Sequence, residues 1–165
     1  MSNCCGANGP KSRVAQCPRS GSAGVAVDLQ TVKALLTEQA LARLDPAEYR
    51  FCADAGCEVV YYNTAGATFE IDDLRVPVWQ KRAFGSRMVC YCFGVSETTI
   101  RAEVEATGRS LAVERVREHI AARRCACELR NPRGACCLGD LIAAVKRVQA
   151  ALASIDVIEG VADAS

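Results

Sequence analysis

The stretch Phe51-Cys-Ala-Asp-Ala-Gly-Cys57-Glu-Val-Val-Tyr-Tyr62 places two cysteines at C-x4-C spacing around a short turn that runs into β-branched and aromatic residues. Asn63-Thr-Ala-Gly66 supplies turn residues and Thr68-Phe-Glu-Ile71 continues extended, so the segment predicts a β-hairpin entered through a cysteine-bearing knuckle. Upstream, Thr31 caps a predicted helix with Val32, Leu35, Leu36 and Leu41 at apolar spacing, ended by Asp45-Pro46. Leu74 to Gln80 reads as a further extended piece. Lys81 to Arg87 is basic, contains Gly85 and has no apolar periodicity, which puts a domain boundary there.

Past that boundary the chain turns helical. Ser96 caps a predicted helix through Thr107, Ser110 a second through Arg123, and Leu138, Leu141, Ile142, Val145 and Val148 mark a third. Residues from Ser154 onward are small and acidic, a tail expected to fray. The expected fold class is α+β, with a small αβ domain over residues 1–80, a small helical domain over 84–150 and a tail over 151–165.

Composition narrows the function. Among 165 residues, 20 are basic and 19 acidic. That balance offers no single-sign field to gather nucleic acid or an anionic bilayer surface. No apolar run reaches the ~20 residues that span a bilayer, and Met1 to Pro10 lacks the apolar core of a signal peptide, so the expectation is a cytoplasmic protein without membrane insertion. There are 11 cysteines, an odd number in a reducing compartment, which argues for metal binding over disulfides. The one histidine, His119, lies among charged neighbours and reads as a helix-surface residue. Any rich site therefore rests on thiolate, which suits zinc, iron–sulfur clusters and Cu(I). Around that single histidine no nucleophilic arrangement is visible, so a conventional enzyme is not expected.

The cysteines fall into two sets. Cys90, Cys92, Cys125, Cys127, Cys136 and Cys137 lie in loops beside predicted helix ends, where free backbone amides favour the negative charge of a four-thiolate [2Fe-2S] cluster. The alternative, small buried hydrophobes, suits the loop poorly, because Arg124-Cys-Ala-Cys-Glu-Leu-Arg-Asn-Pro-Arg-Gly-Ala-Cys-Cys137 is charged and rich in helix breakers. In the first half, Cys52, Cys57 and Cys17 suggest a zinc knuckle, but Ser20 stands where a C-x-x-C pair would place its second thiol. Cys4 or Cys5 would complete four ligands; a three-cysteine site and a merely structural hairpin are the other readings.

Phe51-Cys-(x4)-Cys57-Glu-Val-Val-Tyr-Tyr, Val89-Cys-Tyr-Cys-Phe-Gly-Val95 and Cys127-Glu-Leu-Arg-Asn-Pro-Arg-Gly-Ala-Cys-Cys-Leu-Gly-Asp140 together resemble the N-terminal region of CopZ-type copper chaperones over about residues 1–150. The helical half resembles a bacterioferritin-associated ferredoxin domain. The resemblance implies zinc in the first domain, on Cys5, Cys17, Cys52 and Cys57, and a [2Fe-2S] cluster in the second, on Cys90, Cys92, Cys127 and Cys137. Cys127 directly precedes the family's Glu-x-x-Asn-Pro-x-Gly stretch and Cys137 opens the final helix, which leaves Cys125 and Cys136 as spares.

Two departures qualify it. Ser20 replaces a cysteine found in some members, and no M-x-C-x-x-C copper motif follows Asp140. The expected function is a metallochaperone-like one-electron redox protein linked to copper, with Cu(I) as a further metal and a metal-transporting ATPase or another metal-handling protein as partner. A plain [2Fe-2S] electron-transfer or sensing module, and a structural zinc protein scavenging thiophilic metals, are the alternatives.

Overall fold

The computed structural model describes residues 16–162. Its first half is a four-stranded antiparallel sheet in the order β1 (Val25–Val27), β2 (Tyr49–Phe51), β3 (Val59–Asn63), β4 (Thr68–Glu70), with helices α1 (Leu29–Leu35) and α2 (Glu38–Leu41) between the first two strands. The expected hairpin is β3–β4. Asn63 makes its turn, because the side-chain Oδ1 accepts from Ala65 N at 3.0 Å and Ala67 N at 2.9 Å. Val32, Leu36, Tyr49, Phe51, Tyr61 and Phe69 fill the core between sheet and helices.

The predicted single helix from Thr31 to Asp45 is instead two short ones. Leu36 leaves the helix to bridge Leu74, and its carbonyl accepts from Arg75 Nε and a guanidinium nitrogen at 2.9 and 2.6 Å. These tertiary bonds outcompete helical propensity, which is weak at this length. Thr31 lies inside α1, fully buried, and Asp28 holds the N-cap position; Thr37 caps α2 through Ala40 N. The segment from Leu74 onward forms no strand beyond that bridge and ends in a 3-10 turn, Trp79–Lys81.

The second half opens with a two-stranded ribbon, β5 (Met88–Cys90) and β6 (Val95–Ser96), followed by α3 (Glu97–Thr107), α4 (Ala112–Ala121), α5 (Cys127–Arg130) and α6 (Leu138–Ala162). Ser96 caps α3 as expected, accepting from Thr99 N, and Gly108 closes it at φ 77°. Ser110 does not cap α4 directly, since Leu111 is the N-cap; its hydroxyl accepts from Ala112 N and donates to Glu103. The backbone of α6 continues through Ser154 to Ala162, into the segment read as a tail. Ile100, Val104, Val116, Leu141, Ala144 and Val145 form this half's core, with Cys90, Cys127 and Cys137 inside it.

The two cores lie on either side of the Lys81–Arg87 segment, yet the halves are joined along a polar seam. The buried Tyr61 hydroxyl donates to the Pro132 carbonyl at 2.7 Å, and Gln80 Nε2 donates to Asn131 Oδ1 at 2.8 Å. Tyr91 Oη donates to Gln80 Oε1 at 2.6 Å and accepts from Trp79 N at 2.9 Å. Gly134, at φ 66°, sits so close to α1 that a Cβ there would lie 3.0 Å from Thr31 Oγ1. The loop between Cys127 and Cys137 is thus moulded onto the first half.

Two stability tests follow from these contacts. Tyr61→Phe strands the buried Pro132 carbonyl and should cost about 1–3 kcal/mol in denaturant unfolding; an unchanged midpoint would remove the seam's energetic role. Glu97, only 3 % exposed, accepts from Gly85 N and Arg87 N and pairs with Arg147 at 2.8 Å. Burial pushes its carboxyl pKa up, but these bonds outweigh that and hold it below the ordinary 4.5. A depressed acid stabilises the fold above its unfolded pKa and loses that contribution as pH falls through the folded value. Glu97→Gln should therefore be less stable than wild type by about 1–3 kcal/mol at pH 7, with the gap closing only as pH is taken below 4.5.

Candidate metal centres

The first site grows from two turns. Residues 17–22 form a knuckle in which Gly21 N donates to Cys17 O and Cys17 N to Ser22 O. The opposite turn carries Cys52 at the end of β2 and Cys57 before β3, shaped by Gly56 N donating to Asp54 Oδ1 at 2.9 Å. The sulfurs of Cys17, Cys52 and Cys57 all lie within 4.8 Å of one another, and all three residues are buried. Cys17 and Cys57 sulfurs are 3.9 Å apart. Ser20 Oγ lies 3.5 Å from Cys52 Sγ, beside the trio rather than away from it. Cys4 and Cys5, one of which was expected as fourth ligand, lie outside the described residues.

Electrostatics at this site favour one thiolate readily and the next with difficulty. Burial raises the Cys17 pKa, but amides of Ser20 and Arg19, the Ser20 hydroxyl and the Cys52 thiol overcome it and bring it from 9.0 to about 7. Cys57 is raised, by burial first and then by its neighbouring thiols, despite an amide bond from Val59. Three buried thiols with inward-facing amides form the donor set of a thiophilic cation such as zinc, whose charge would compensate the second and third thiolates.

The second site gathers cysteines from β5, the following turn, the start of α5 and the residue before α6. Cys92 and Cys127 sulfurs are 3.7 Å apart, and Ala126 N donates to Cys92 Sγ at 3.3 Å. A hydrogen bond to Cys137 is the largest influence on Cys90; with amides of Phe93 and Cys92 it outweighs burial and lowers the pKa from 9.0 to about 6. Cys137 is pushed far up, by that same bond and then by burial. Cys127 rises to about 12 through burial and the Cys92 thiol, against an amide bond from Cys137. Among the described residues no three of these four sulfurs lie mutually within 4.8 Å; Cys92 and Cys127 form a close pair, and Cys90 and Cys137 influence each other's ionisation.

The remaining cysteines are less enclosed: Cys125 is half-buried and Cys136 exposed. His119 lies half-exposed on α4, in keeping with a helix-surface position. Its ring stacks on Phe93, next to Cys92, with centroids 4.2 Å apart. Spacing also missed the role of Asn131. Its Nδ2 donates to Ala135 O at 2.7 Å while its Oδ1 accepts from Arg133 N at 3.1 Å and from Gln80, so this one buried side chain shapes the loop that leads to Cys137. The Asn-Pro dipeptide at a turn was the available signal.

No helix among the described residues is long and apolar enough to cross a membrane. Residues 14–75 match a protein family described as a zinc binding domain, the CopZ zinc finger. The chain is 31% identical over 122 residues to the copper chaperone CopZ of Archaeoglobus fulgidus, covering 74% of this chain and 57% of that protein. It therefore spans little more than half the length of that curated relative. The X-ray structure of the Archaeoglobus fulgidus CopZ N-terminal domain superposes with a TM-score of 0.65 at 30% identity, over 78% of this chain and 96% of that one. Matched almost end to end with that domain, and carrying the three-cysteine knuckle within its zinc-binding segment, the chain belongs to the CopZ N-terminal domain family.

Proposed function

We propose that this chain is a copper chaperone-like metal-handling protein in which a structural zinc steadies the first half and a [2Fe-2S] cluster in the second exchanges single electrons. Zinc is assigned to Cys17, Cys52 and Cys57, with Cys5 as fourth ligand; the cluster is assigned to Cys90, Cys92, Cys127 and Cys137. The observation that carries the cluster reading is that these four thiols gather in one core cluster without closing around a single point, with Cys92 and Cys127 sulfurs 3.7 Å apart. A binuclear cluster takes two thiolates on each iron, whereas one tetrahedral zinc wants four sulfurs around a single point. The Ala126 amide, donating to Cys92 Sγ at 3.3 Å, supplies a hydrogen bond of the kind such a cluster favours.

Bound there, a [2Fe-2S] cluster supplies one-electron transfer. The residues around it hold the four thiols in register, and the half-buried Cys125 and exposed Cys136 offer soft donors beside them for Cu(I). One electron passed outward converts Cu(II) to Cu(I), the form that thiolates bind best. The recipient of metal or electrons is a copper-handling protein such as a transporting ATPase, in keeping with the relative's description as a copper chaperone. The chain acts as a carrier rather than as an enzyme.

Anaerobically purified protein should be coloured, hold about two irons and matching sulfide per chain, and give an S = 1/2 EPR signal on one-electron reduction. Cys127→Ser or Cys137→Ser should bleach it, while Cys125→Ser and Cys136→Ser should keep the spectrum. Colourless protein after reconstitution, with zinc in place of iron, would refute the redox reading; bleaching by the spare-cysteine variants alone would reassign the ligands.

A further inference from the structure

We infer that the face around Phe84, Arg87 and Arg147 is the docking surface for an acidic redox partner, an inference that rests on the iron–sulfur reading of the second site. Phe84 is 64% exposed, more than any other large apolar side chain among the described residues. It is clasped between two guanidinium groups, Arg87 at 3.8 Å and Arg147 at 4.4 Å from the ring centroid. An aromatic side chain flanked by arginines has the composition of an interface hot spot.

The face is fixed before any partner arrives. Buried Glu97 accepts from the amides of Gly85 and Arg87 and holds Arg147, so the loop that presents Phe84 loses little freedom on docking. Its charge is positive. Glu97 compensates Arg147 and Asp140 compensates Arg133, while no carboxylate among the described residues lies within ion-pair distance of Arg87. Complementary charge on a partner is therefore negative.

Position links the face to the chemistry. A cavity of about 280 Å³ opens beside Phe84, Arg87 and Arg147, and its wall includes Val89 and Tyr91, the two residues that flank Cys90. A carboxylate-bearing partner seated there stands one residue away from a proposed cluster ligand. The near-even charge of the whole chain makes this local excess a directional feature, not a consequence of overall basicity.

The test uses the full-length, cluster-loaded protein reduced by one electron and reoxidised by small cobalt(III) complexes, each taking that electron to become cobalt(II). At low salt the anionic tris(oxalato)cobaltate should react several-fold more slowly with Arg87→Gln than with wild type, and the difference should fade as salt rises. The cationic hexaamminecobalt should react no more slowly, and Arg101→Gln on α3 should change neither rate. Phe84→Ser should leave small-oxidant rates alone but weaken competition by poly-L-glutamate. Equal slowing of both oxidants, or no slowing of either, would overturn the face while leaving the cluster reading intact. Competition by a DNA oligonucleotide but not by poly-L-glutamate would overturn the acidic-protein assignment. A protein with no reducible cluster would refute the underlying reading itself.

Discussion

Buried thiols in close contact are the constraint on which this molecule is built. Sulfurs 3.7 and 3.9 Å apart are far beyond the about 2.05 Å of a disulfide, yet near enough that each thiolate formed opposes the next. The pattern is the same at both sites: Cys17 and Cys90 ionise easily, and Cys57, Cys127 and Cys137 resist. A bound cation would remove the opposition, which would tie metal binding to deprotonation of these thiols. Two reduced thiol clusters in one small chain would otherwise be a liability to stability and an invitation to oxidation.

The seam explains why these clusters share a chain. Tyr61 belongs to β3, the strand that leaves the Cys57 turn, and its hydroxyl holds Pro132 in the loop between Cys127 and Cys137. Asn131 organises the same loop while binding Gln80 from the first half. The first half thus contacts the loop that joins Cys127 to Cys137. The two cores still lie on either side of the basic Lys81–Arg87 segment, and the seam is where the halves meet.

Much of this was legible in the sequence where local chemistry decides. The β3–β4 hairpin followed from Glu58–Tyr62 and the Asn63–Gly66 turn, and the start of α3 from Ser96. Three-residue strands such as β1, β2 and β5 were not legible, because their pairing comes from partners distant in the chain and leaves no periodicity in so short a run. The helix break at Leu36 depended on Arg75 and Leu74, and the role of Tyr61 on Pro132, all of them long-range bonds. For the sites, spacing marked which cysteines belong to which half, and geometry then set Cys92 beside Cys127. Ser20, noted in the sequence as a missing thiol, stands within reach of Cys52.

The central claim is that one chain carries two different metal centres on these two thiol sets. Anomalous diffraction recorded at the iron and zinc edges from crystals of anaerobically purified protein tests it most directly. The account predicts iron density, as two adjacent peaks, between Cys90, Cys92, Cys127 and Cys137, and a single zinc peak among Cys17, Cys52 and Cys57. Zinc at both sites, or one peak of any metal at the second site, would contradict it.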